Sequence, residues 1–127
     1  MVVCDYMRVH VDSNPSPDDL AIAAEVFRLL ADPTRVGLLH ALASGEELTV
    51  GALAERVAKR PSGVSQHLAK LRMGHLVSTR RDGTSVHYRL ANSHVGRLVV
   101  DALQHVEHLG PGTPAHHSAD AAHGPHD

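Results

Sequence analysis

"LTVGALAERVAKRPSGVSQHLAKLRMGHLVSTRRDGTSVHYRL", residues 48–90, decides the fold. Thr49 can cap a short helix on which Val50, Leu53 and Val57 recur on one side. "AKRP" (58–61) reads as a turn, and a second helix begins near Ser62 with Val64, Leu68, Leu71 and either Met73 or Leu76 as core positions. Two short helices joined in this way, the second polar on its outer side, predict a helix-turn-helix. At "VSTRRDGTSVHYRL" (77–90) the pattern changes period from 3.6 to 2, with Asp82-Gly83 between two runs rich in β-branched residues. That change predicts a hairpin, and Arg80 and Arg81 just before its tip suit a wing that touches phosphate backbone or minor groove.

Upstream, Ser16, Pro17, Asp18 and Asp19 mark a helix start, after which Leu20, Ala24, Phe27 and Leu30 recur at helical spacing. Asp32 then caps a helix in "DPTRVGLLHALASG" (32–45), with Val36, Leu39, Leu42 and Ala43 on one stripe and a stop at Gly45. Downstream, Asn92 or Ser93 caps an amphipathic helix, "HVGRLVVDALQHVEH" (94–108). The expected architecture is mainly α with a small β-hairpin wing, a winged helix-turn-helix of four helices, two strands and a terminal helix. Residues 1–15 are expected to form an N-terminal arm, 16–109 the domain, and 110–127 a flexible His-rich tail too poor in apolar residues to build a core.

A chain of 127 residues accommodates one small core. Hydrophobic content is 43% with no apolar run near 18 residues and no secretory h-region, so a cytoplasmic protein without a membrane span is expected. The single cysteine, Cys4, cannot form an internal disulfide or a paired-cysteine metal site, leaving metal chemistry to nitrogen and oxygen donors. The net charge of −2 conceals an asymmetry: nine of the twelve Lys and Arg residues lie between Arg56 and Arg97, opposed there only by Asp82. Such a basic segment suits nucleic acid. With one Phe, two Tyr and no Trp, stacking platforms for single strands are lacking, and duplex DNA is the expected partner. Ser62, Ser65 and Gln66 face away from the expected core and can reach base edges, while Gly63 leaves room for close approach. Lys59, Arg60, Lys70, Arg80 and Arg81 are the expected phosphate contacts. No spacing suggests a nucleophile, base and orienting group, so the chain is read as not an enzyme.

Over residues 20–108 the chain resembles the ArsR/SmtB family of winged-helix metal-sensing repressors, most specifically in "LADPTRVGLLHAL" (30–42), the helix-turn-helix and wing, and "NSHVGRLVVDALQHVEH" (92–108). "SQHLAKLRM", "RRDGT", "EHLGPGTP" and the following His-His pair resemble its nickel/cobalt-sensing KmtR-like branch. The resemblance implies a homodimer formed through terminal helices, bound to operator DNA when metal-free and released by metal. It implies Glu107 as a ligand candidate, although on a regular helix Glu107 lies about 200° from His105. It also places Asn92 where the family has an Asp ligand. A neutral amide is a poor ligand, so His116 and His117 are candidates for the missing donors.

The spacing of His94, His105 and His108 carries its own inference. At about 100° per residue the three share one stripe, yet His94 and His105 are about 16 Å apart along the axis, whereas imidazole nitrogens bind a metal at about 2 Å. An antiparallel copy of the helix brings His94 beside His105 and His108 of the partner, and the two-fold axis makes a second site. The crossing then falls around Val99 to Asp101, with Leu98 and Ala102 suited to it. Asp101 either accepts a bond from a ligand imidazole or points to water. His40, His67, His75 and His87 are read as structural or DNA-proximal. His123 and His126 are read as spectators, and Cys4 and His10 as optional donors from the arm. An all-nitrogen-and-oxygen set suits nickel or cobalt, with zinc the alternative. A rival of another class is a metal storage or delivery protein using the His-rich tail.

Overall fold

The computed structural model describes residues 14–110. The arm up to residue 13, with Cys4 and His10, and the tail from 111, with His116, His117, His123 and His126, lie outside the described residues. Five helices and one hairpin follow in order: α1 (Pro17–Leu30), α2 (Pro33–Leu42), α3 (Val50–Val57), α4 (Pro61–Met73), β1 (Val77–Asp82), β2 (Ser85–Leu90) and α5 (Ser93–Leu109). This is the expected winged helix-turn-helix, with α3 and α4 as the helix pair and β1–β2 as the wing.

Local chemistry sets the boundaries. Ser16 and Asp19 form a reciprocal capping box at the start of α1, and Asp32 and Thr49 accept bonds from the first-turn amides of α2 and α3. Asn92, not Ser93, caps α5: its Oδ1 accepts from the amides of His94 (2.9 Å) and Val95 (3.2 Å). Pro61, one residue earlier than expected, opens α4, and Arg60 at the cap makes no side-chain bond to the first turn. Ala58 ends α3 in the left-handed region (φ 57°), turning the chain into α4. The hairpin loop is Gly83-Thr84, with Asp82 still paired to Ser85, because Gly83 takes the positive φ (66°) that such a tight loop demands. A further backbone bridge joins Leu48 to Tyr88 in both directions (3.0 and 2.8 Å), fastening the α2–α3 connection to the wing.

The core gathers around α2, whose Leu38, Leu39 and Leu42 are wholly buried. Leu53 of α3, Val64, Leu68 and Leu71 of α4, and Val95 and Val99 of α5 close over them, with Leu76 and Val77 at the wing's base. Leu76, three residues past the end of α4, takes the core position rather than Met73, which is 80% exposed. No α1 residue is buried, and Leu20 and Phe27 of its expected stripe stand in solvent. Gly96 permits the close approach of α5: a Cβ there would lie 2.9 Å from Leu90 Cδ1 and 3.7 Å from the Cα of Ala43. Gly96→Val should therefore destabilise the fold by about 1–3 kcal/mol in urea unfolding, while Gly96→Ala, which needs only a small shift of the Leu90 tip, costs less; equal stabilities for Val and wild type would contradict this packing.

Candidate nucleic-acid interface and ligand helix

Burial of Val64, Leu68 and Leu71 turns the opposite side of α4 outward, so Ser62, Gly63, Ser65, Gln66 and Lys70 are all exposed. Arg60 is exposed at the helix start and Lys59 is half-buried in the turn before it. Together these residues form a polar, basic ridge of the kind a major groove accepts.

His67 is the half-buried exception on this helix. Arg35 Nη1 lies 3.1 Å from His67 Nδ1, the arginine donating, which leaves the ring's Nε2 for a second partner. Asp32 Oδ2 lies 3.9 Å from that Nε2, while it also accepts from the Arg35 amide. The Arg35 Nε donates to the carbonyl of Leu29 at 2.6 Å. Arg35 thus ties the end of α1, the cap of α2 and the middle of α4 into one polar joint, a role no spacing in the sequence signals.

The wing carries its arginines differently from one another. Arg81 is exposed and pairs across the ladder with Val86. Arg80, on the other face, holds Glu47 through Nε (2.8 Å) and Nη2 (2.7 Å), with Arg89 Nη1 at 3.9 Å from the second carboxylate oxygen. Glu46 takes Arg56 in the same connection at 3.0 Å. Three of the cations between residues 56 and 97 are therefore matched by two acids that sit just before that segment in sequence and return to it in space. Glu47 was not legible as a wing residue because the Leu48–Tyr88 bridge that brings it there is non-local.

On α5, Val95, Gly96 and Val99 face the core, and His94, Leu98, Asp101, Ala102, His105 and His108 are exposed. Each of the three histidines lies at least about 120° around the helix from Val99. Val99 itself is buried against its own chain, so Leu98 and Ala102 remain for a helix crossing. His94 and His75 line one groove with Val26, Leu30 and Leu98, bringing together two histidines that the sequence left unrelated. Glu107 is exposed on the other side of the helix from His105, as a regular α-helix requires. Among the described residues of one chain, no three His, Cys, Asp or Glu side chains converge to hold a metal ion. Imidazole nitrogens are donors that a nitrogen-ligated metal takes, and along the regular helix α5 His94 and His105 stand too far apart on the axis to share one ion.

A helix-turn-helix carrying a wing is the architecture of a DNA-binding regulator, and known proteins agree. A family model described as a helix-turn-helix domain matches residues 30–80. The chain is 54% identical over 114 residues to the HTH-type transcriptional regulator KmtR of Mycobacterium tuberculosis, covering 87% of each chain. It is 37% identical over 114 residues to a transcriptional repressor SmtB homolog of Synechocystis, covering 84% of this chain and 86% of that one. The solution structure of the homodimeric winged helix-turn-helix domain of a possible ArsR-family regulator from Mycobacterium bovis superposes with a TM-score of 0.63 at 34% identity, covering 76% of this chain and 94% of the other. The chain belongs to the ArsR/SmtB family of winged-helix transcriptional repressors, a metal-sensing family, and within it is KmtR-like. No helix among the described residues is long and apolar enough to cross a membrane.

The Glu47 carboxyl is held below its ordinary range, first by the hydrogen bond from Arg80, which outweighs the opposing effect of burial, and then by the individually smaller effects of the charges of Arg80, Arg89 and His87. Its folded value lies below its unfolded one, so the pair contributes stability above the ordinary carboxylate range and loses it as pH falls through the depressed value. Melting temperatures of Glu47→Gln should accordingly fall less than those of wild type on acidification from about pH 5 to about pH 3; parallel curves would contradict the pairing.

Proposed function

We propose that the chain is a homodimeric repressor that binds duplex operator DNA through α4 and the wing and lets go of it when nickel or cobalt binds. The observation that carries this reading is the outward stripe of α5, where His94, His105 and His108 point away from the core beside the exposed apolar residues Leu98 and Leu109. Leu20, Ile22 and Phe27 of α1 present further apolar surface that no other described residue buries, as expected of a dimer face.

His94 of each subunit joins His105 and His108 of the partner subunit. Glu107, His116 and His117 are the further donor candidates, on the family resemblance. Asn92 is engaged as the α5 cap and carries no charge, so an aspartate-type ligand is missing from the site. These residues would hold a nickel or cobalt ion, with zinc as the alternative, and the ion when bound would supply coordination bonds between the two α5 helices. The residues of this chain do the rest. Ser62, Ser65 and Gln66 read base edges, and Lys59, Arg60, Lys70, Arg80 and Arg81 hold phosphates, so affinity falls steeply with salt. Because each α4 is packed rigidly against its own core, a change in the angle between subunits moves two recognition helices out of register with successive major grooves. Coupling of about 1–3 kcal/mol, or roughly 5- to 150-fold in affinity, is the usual scale.

A titration of operator DNA with and without nickel, cobalt and zinc tests partner, effector and direction together. The His94→Ala/His105→Ala double variant should bind DNA as wild type does and no longer respond to metal; continued release by nickel would place sensing elsewhere. Cobalt absorption separates the two metal readings, weak d–d bands marking six-coordination and strong ones a tetrahedral, zinc-like site.

A further inference from the structure

We propose that Glu47 is a built-in competitor for DNA phosphate at the wing, setting how much of the Arg80 charge is available to the duplex. This inference rests on the DNA-binding reading above. Glu47 is anchored rather than adventitious: the neighbouring Leu48 is bonded in both directions to Tyr88 of β2, so the carboxylate is delivered to the wing by backbone. There it meets Arg80 through two nitrogens at 2.8 and 2.7 Å and lies 3.9 Å from Arg89, whose own Nε donates to Ser78 Oγ at 3.2 Å. A carboxylate gripped by two guanidinium nitrogens satisfies the same donors that a phosphate oxygen would take.

Arg80 and Glu47 keep side-chain exposures of 49% and 27%, so an incoming phosphate can reach the arginine without unfolding the wing. Arg81, one residue on and facing the other side of the ladder, has no such acid on it among the described ion pairs. The wing therefore presents one muted arginine and one available one. Muting lowers affinity for any duplex, because the phosphate contribution is independent of sequence, and leaves discrimination to the base-reading side chains of α4.

The test is binding of full-length protein to a labelled duplex of arbitrary sequence, without added metal, across a salt series. Glu47→Gln keeps an oxygen that accepts from Arg80 and removes the charge. It should bind roughly two- to fivefold more tightly at low salt, the range of an exposed ion pair. Its slope of log affinity against log salt should steepen by up to about 0.9, one phosphate's worth. In an Arg80→Ala background the same substitution should have no effect. In the wild-type background, Arg81→Ala should cost more affinity than Arg80→Ala, a comparison that holds even if Glu47→Gln folds poorly. Equal or weaker binding by folded Glu47→Gln, persistence of the gain without Arg80, or a larger loss for Arg80→Ala would each overturn the inference. Absence of salt-dependent binding by wild type would instead overturn the DNA-binding reading on which it stands.

Discussion

Leu38, Leu39 and Leu42 expose no surface to solvent, and the placement of both functional helices follows from covering them. Helix α2 has only ten residues, too short to persist alone in water. It is held by what packs on it: α1, α3, α4, α5 and β2 all contact it. Each buried leucine is worth about 1.5–3 kcal/mol in transfer from water, so this one short segment gathers a large share of the core's driving force. The recognition helix and the histidine helix are thus both positioned against the same element. Close-packed interiors do not deform smoothly, so motion of α5 relative to α2 is resisted within a subunit. Among the described residues, the faces left open are α1 and the outer side of α5.

The polar joint at the start of α2 complements that apolar centre. Asp32 caps the helix, Arg35 reaches back to the Leu29 carbonyl and across to His67, and His67 sits on the recognition helix. The orientation of α4 is therefore set by a directional hydrogen bond as well as by its three buried side chains. The wing has its own fastening through Leu48 and Tyr88, and Glu47 rides on it. Charge on the DNA-facing side is consequently less one-sided than a count along residues 56–97 implies, since Glu46 and Glu47 fold back onto Arg56 and Arg80.

Local signals in the sequence were the readable ones. Ser16, Asp32 and Thr49 mark helix starts because capping involves residues three apart, and the change to period 2 at Val77 marks the wing because alternation is a property of the strand itself. Val64, Leu68 and Leu71 were readable for the same reason. Leu38 was not, because α2 is covered on several sides and a single stripe of Val36, Leu39, Leu42 and Ala43 undercounts its core. The choice between Met73 and Leu76 depended on how the chain leaves α4, through His75 at φ 65°, which periodicity does not encode. Arg35 reaches His67, and Glu47 reaches Arg80, only through tertiary contacts 32 and 33 residues away. The shared stripe of His94, His105 and His108 needed only helical spacing to see, and the described structure leaves all three exposed on α5.

The central claim is that a metal ion is held between subunits, by His94 from one and His105 with His108 from the other. Mixed dimers test it most directly. One subunit carries His94→Ala, the other His105→Ala and His108→Ala, and nickel bound by the purified heterodimer is measured by equilibrium dialysis. Each parent homodimer should bind no metal tightly, while the heterodimer, in which one of the two sites is rebuilt from intact halves, should bind one ion per dimer. A heterodimer as empty as its parents, or a parent homodimer that binds nickel as wild type does, would contradict the account.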